Sequence, residues 1–120
     1  RTPIAHALAY PERIEAGVAA LDLFAVGQMT FEPPDGRRFP CLPLAYQALR
    51  AAGSAPTLLN AANEMAVAAF LAGRLPFLRI AEIIATVLEQ IPVSSLPDLA
   101  AVMAADAEAR RMAEALIHAE

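Results

Sequence analysis

Tryptophan and lysine are both absent from this sequence, cysteine occurs once, and aromatic residues make up only 6% of the 120 positions. The lone Cys41 cannot form an internal disulfide, which points to a reducing compartment and hence to the cytoplasm. All nine basic residues are arginines scattered along the chain, and the formal charge is -4. A nucleic-acid binder concentrates basic charge on one face, so nucleic acid is set aside as a partner. No stretch reaches the ~18 consecutive apolar residues of a membrane span. The opening Arg1-Thr2-Pro3 lacks the charged, apolar and small-residue order of a signal peptide. The five glycines are isolated, which excludes a glycine-rich phosphate loop. His6 and His118 lie at opposite ends of the chain with Cys41 apart from both, so the spacing of a metal site is missing.

What is present is apolar and alanine-rich. Hydrophobic residues reach 58% and charged residues only 18%, the balance of a folded chain rather than a disordered one. Alanine favours helix and lets helices approach closely. Residues 1–40 and 41–120 read differently. The first part is broken by Pro3, Pro11, Gly17, Gly27 and Pro33-Pro34. It predicts a short helix from Pro3 to Tyr10, a short strand over Gln28-Met29-Thr30-Phe31-Glu32, and a turn at Pro33-Pro34-Asp35-Gly36. This is an irregular connector with too little regular structure for a core of its own.

From Pro40 the pattern is helical. One helix is expected from Leu42 to Ala52, stopped at Gly53, and a second from Thr57, as cap, to Ala72, ended by Gly73. In the third, Ile80, Ile83, Ile84, Val87, Leu88 and Ile91 form one apolar stripe ended by Pro92. The fourth runs from about Pro97 to Ile117, with Ser95 as cap and Asp98 in capping-box position. Its inward side is expected to carry Leu99, Val102, Met103, Ala113, Leu116 and Ile117, with Met65, Met103 and Met112 as core filler. Four helices with short connections favour a small four-helix bundle over residues 41–120.

Few residues offer chemistry. Cys41 is read as a buried small hydrophobe at a helix start, the alternative being a nucleophile paired with His6. His6 is either a proton donor near a substrate or a hydrogen-bonded histidine packing a short helix. Asn60, Asn63 and Glu64 stand at helical spacings of three and four, so they share a face. Two asparagines in one helix fit either a polar ligand pocket or amides that satisfy backbone groups of the connector. Arg37-Arg38 reads as a solvated turn, with an anion contact as the alternative.

Several segments in order carry a family resemblance: Arg1-Thr2-Pro3-Ile4-Ala5-His6-Ala7-Leu8-Ala9-Tyr10-Pro11, Leu21-Asp22, and Met29-Thr30-Phe31-Glu32-Pro33-Pro34-Asp35. Arg38-Phe39-Pro40-Cys41-Leu42 and Leu59-Asn60-Ala61-Ala62-Asn63-Glu64 follow, continuing to Val67-Ala68-Ala69-Phe70-Leu71. In order and spacing they resemble the C-terminal part of the 1-deoxy-D-xylulose 5-phosphate reductoisomerase family. The resemblance implies a parent oxidoreductase that converts 1-deoxy-D-xylulose 5-phosphate to 2-C-methyl-D-erythritol 4-phosphate in the non-mevalonate route to isoprenoids. It implies NADPH and a divalent metal (Mg or Mn) as cofactors of that parent, an N-terminal cofactor domain, a central catalytic domain, and a homodimer. The family's cofactor, metal and phosphate residues precede the segment matching Arg1. No catalytic, cofactor-binding or metal residue is therefore carried over, and this chain is expected to be inactive alone. Its expected role is to brace the catalytic domain, with the strand near Thr30 adding to that domain's sheet edge. Two other classes stay open: a stand-alone helical protein-interaction module, and a small enzyme using His6 and Cys41.

Overall fold

The computed structural model describes residues 2–119 and divides the chain into two compact units, Arg1–Pro33 and Pro34–Glu120. Each is taken by itself.

In the first unit, α1 spans Thr2–Ala9 and α2 spans Leu23–Val26. Pro3 falls in the first turn of α1, where its missing N–H breaks no helical bond. Asp22 starts α2: its carboxylate accepts from the N–H of Phe24 at 2.9 Å and of Ala25 at 3.1 Å. Sequence patterning missed this one-turn helix, because four residues are too few to show periodicity. No described residue of this unit is buried. The strand expected over residues 28–32 is not formed, and no described residue of the chain is in a strand. Alternation alone does not make a strand; the segment's N–H and C=O groups need a neighbouring strand to pair with.

The second unit holds α3 (Cys41–Ala51), α4 (Ala55–Leu71), α5 (Arg79–Gln90) and α6 (Leu99–His118). The four pack as a helical bundle in which α4 is central, against α3, α5 and α6. The α5 stripe is buried as its periodicity requires: Ile80, Ile83, Ile84, Val87 and Ile91 are in the core and Leu88 packs at its edge. Leu58 is fully buried on α4, beside Ala61, Ala62, Ala66 and Ala69. On α6 the buried line is Ala105, Ala109, Ala113 and Ile117, spaced by four. Ala113 and Ile117 lie inward as expected and Leu116 packs on the core, but Leu99 and Met103 are exposed at 74% and 61%. Alanine, not the larger residues, marks the seam where α6 meets α4, because only a small side chain lets two backbones come close. Of the three methionines read as core filler, Met65 and Met112 pack on the core and Met103 does not.

The helix ends follow local chemistry. α4 begins two residues before Thr57, with Pro56 in its first turn and Ser54 at the cap position. The Ser54 hydroxyl does not cap. It is buried and accepts instead from the N–H of Ser94 at 2.9 Å, while the Ser54 N–H donates to the Ser94 carbonyl at 2.8 Å. These two bonds tie the α3–α4 turn to the α5–α6 loop. Gly53, at φ +51°, permits the approach: a Cβ there would lie 2.5 Å from the Ser94 carbonyl oxygen. Gly73 ends α4 as expected, with the Arg74 N–H returning to the Ala69 carbonyl at 2.9 Å. Asp98, not Ser95, caps α6, accepting from the Ala101 N–H at 2.8 Å. A carboxylate directly at the cap also meets the positive end of the helix dipole.

Candidate functional site

The polar residues singled out on α4 point in two directions. Asn60 donates from its side-chain amide to Glu64 Oε1 at 3.1 Å, one turn along the same helix. Glu64 Oε2 accepts from the Arg110 guanidinium at 2.6 Å, and Arg110 also holds Asp106 through two bonds of 2.6 and 3.1 Å. The result is a four-residue polar chain, Asn60–Glu64–Arg110–Asp106, joining the outer faces of α4 and α6. The Arg110 bond, and after it the Asn60 bond, holds the Glu64 carboxyl below its ordinary value of 4.5. Arg110 does the same to Asp106, ordinarily 3.8, and the Asp106 and Glu64 bonds push the guanidinium's own pKa upward. Asn60 thus serves a helix–helix bridge. The Asp106–Arg110 half was not read from the sequence, although its spacing of four is a local signal that could have found it. The Glu64–Arg110 half spans 46 positions and left no local signal.

Asn63 faces elsewhere. It lines a cavity of about 260 Å³ whose other walls include Phe39, Cys41, Val67, Phe77 and Leu78. The wall is mainly hydrocarbon. Phe77 and Leu78 are exposed at 68% and 74%, and Phe77 packs edge-on against Phe70 with ring centroids 5.6 Å apart. Cys41 is exposed at this cavity, which corrects its reading as a buried hydrophobe. It begins α3, and a first-turn side chain there projects outward before the helix meets its neighbours. Arg38 lies over the Phe39 ring at 5.5 Å from its centroid. The Arg37 and Arg38 N–H groups both donate to Asp35 Oδ1, so the arginine pair sits on an Asp-capped turn.

His6 belongs to the first unit. It is exposed and stands edge-on to Tyr10 at 6.0 Å. It lines a concavity of about 370 Å³ together with Thr2, Arg13 and Ile14. Among the described residues no three His, Cys, Asp or Glu side chains gather as a metal site. Among the described residues, then, no donor set fits a divalent metal, and the isolated glycines do not make a dinucleotide phosphate cradle. No described helix is long and apolar enough to cross a membrane.

Comparison with known proteins identifies the family. The family model for the DXP reductoisomerase C-terminal domain matches residues 1–112. The 1-deoxy-D-xylulose 5-phosphate reductoisomerase of Pseudomonas fluorescens (strain Pf0-1) is 64% identical over 113 residues, covering 94% of this chain and 28% of that protein. The enzyme of the same name from Pseudomonas syringae pv. syringae (strain B728a) is 61% identical with the same two coverages. Among solved structures, the Zymomonas mobilis reductoisomerase in complex with NADPH superposes with a TM-score of 0.81 at 45% identity, over 97% of this chain and 31% of that one. A DOX-P reductoisomerase in complex with NADPH, fosmidomycin and magnesium gives 0.81 at 40% identity, over 98% and 31%. The chain thus spans less than a third of the relatives it matches, and over that span the match is nearly continuous. It belongs to the DXP reductoisomerase C-terminal domain family.

Proposed function

We propose that this chain is the C-terminal helical portion of an NADPH- and divalent-metal-dependent oxidoreductase that converts 1-deoxy-D-xylulose 5-phosphate to 2-C-methyl-D-erythritol 4-phosphate. The observation that carries the reading is the pairing of near-complete coverage of this chain with coverage of only 28% of each Pseudomonas relative. In this reading residues 1–40 are the connector and residues 41–120 the helical domain. The catalytic, cofactor and metal groups belong, in this reading, to the parts of the enzyme outside this chain. The working enzyme is a cytoplasmic homodimer. The role of this portion is to hold the catalytic body in shape, since precise sites need rigid support around them.

The test is a joined protein in which residues 1–120 replace the matched segment of the Pseudomonas fluorescens relative. NADPH oxidation with 1-deoxy-D-xylulose 5-phosphate and magnesium should proceed at a rate within about tenfold of that relative, a barrier change of about 1.4 kcal/mol. A soluble, folded joined protein without activity refutes the reading.

A further inference from the structure

Among the described residues the bundle exposes several apolar side chains, Leu42, Tyr46 and Leu49 along α3 among them, and their surroundings differ in character. Leu99 and Met103 lie on α6 near the charged Asp106–Arg110 pair, a mixed surface of the ordinary kind. The Phe39–Phe77–Leu78 region is concave, mainly hydrocarbon, and has one amide set into it. That amide is Asn63, whose side chain has no hydrogen-bond partner among the described residues, whereas the Asn60 amide nearly one turn away donates to Glu64. An asparagine amide presents one acceptor and one two-hydrogen donor side by side, the complement of a peptide group. A helix docking here would bring backbone groups already paired within itself, whereas an extended segment brings free N–H and C=O groups. A cavity of about 260 Å³ accommodates one or two apolar side chains, not a whole helix face.

From these features we infer that the Phe39–Phe77 cavity seats an extended segment of the parent polypeptide lying outside residues 1–120, with an apolar side chain in the cavity and a backbone peptide group on Asn63. This rests on the proposed function. The occupant is drawn from the same polypeptide because the relatives carry over two-thirds of their length beyond the portion matched here. Asn63 is then a positioning residue, fixing the register in which the bundle meets the catalytic body.

Cys41 provides a built-in reporter, being exposed at the cavity wall. Its alkylation by iodoacetamide, followed by mass spectrometry of its own peptide, is compared between the 120-residue chain and the joined protein described above. Alkylation should slow by about fivefold or more in the joined protein, as for a side chain moved into a dehydrated interface core. Phe77→Asp should restore the fast rate there, and Asn63→Ala should restore it in part. Phe77 is largely exposed in this chain, so its replacement leaves the bundle's core intact. Equal rates in the two proteins overturn the inference. So does a rate in the isolated chain that falls as its concentration rises, which would identify a second copy as occupant. NADPH oxidation by the same sample reads out the proposed function separately: an inactive joined protein that still protects Cys41 sinks that function and not the docking.

Discussion

Adjacent substitutions in the α3–α4 turn should act in opposite directions. Ala52 has φ 56° and ψ -149°, a region that only glycine occupies without strain. Holding an alanine there costs about 1–3 kcal/mol. Ala52→Gly removes that strain but gives the unfolded chain more freedom to lose, about 0.4–1 kcal/mol. The net is a stabilisation of about 0.5–2 kcal/mol, unusual for a glycine introduced beside a helix end. Gly53→Ala is the converse. It places a side chain at φ +51° and sets its Cβ 2.5 Å from the Ser94 carbonyl oxygen, a backbone atom that must move. The move loosens both Ser54–Ser94 bonds, one of which satisfies the buried Ser54 hydroxyl. Strain of about 1–3 kcal/mol and a weakened buried hydrogen bond of about 1–3 kcal/mol together predict a loss of about 2–6 kcal/mol. Urea unfolding followed by far-ultraviolet circular dichroism measures both. For a unit of this size each kcal/mol corresponds to about 4–8 °C in Tm, so thermal melts give an independent reading. A lower midpoint for Ala52→Gly, or an unchanged one for Gly53→Ala, would refute the argument from backbone geometry.

Three further outcomes follow from the packing and the polar bridge. Leu58→Ala, at a fully buried position of α4, should lower stability by about 2–5 kcal/mol, while Met103→Ala, exposed at 61%, should stay within about 0.5 kcal/mol; urea midpoints decide. Asp98→Ala should remove the α6 cap and cost about 0.5–2 kcal/mol, with Asp98→Asn retaining most of it and Ser95→Ala neutral. The depressed carboxyls of Glu64 and Asp106 stabilise the fold fully above their ordinary values of 4.5 and 3.8, and that contribution is lost as pH falls through their lower folded values. Arg110→Met should therefore flatten the fall of Tm in the acid range below those values and leave its slope near neutrality unchanged; an equally steep acid fall in the variant contradicts the bridge.

How much the sequence revealed depended on how local the cause was. The α5 stripe was legible because six branched or long apolar residues repeat at helical spacing within twelve positions, and nothing competes with that signal. Gly73 was legible because a glycine past an apolar run is the standard way to end a helix. The strand over residues 28–32 was misread because alternation is only half of a strand, and its other half is a partner. On α6, Ala113, Leu116 and Ile117 were rightly placed inward, but Leu99 and Met103 were preferred to Ala105 and Ala109 because size was weighted over closeness of approach. Ser54 was overlooked as a structural residue because its partner, Ser94, is forty positions away. Of the candidate site, Asn60 and Glu64 were found as a face, but their engagement by Arg110 required the fold. The different fate of Asn63 did too.

The alanine seam has a consequence for how force passes through this domain. Ala62, Ala66 and Ala69 on α4 and Ala105, Ala109 and Ala113 on α6 are all buried. None of these side chains has a rotamer to change, so the seam freezes almost no side-chain entropy when it forms. It also has no side chain that can swing aside under load. Where alanine faces alanine, the two helices have little side chain between them to take up a displacement. A single methylene added along the seam would therefore push α4 and α6 apart rather than be absorbed by a change of rotamer.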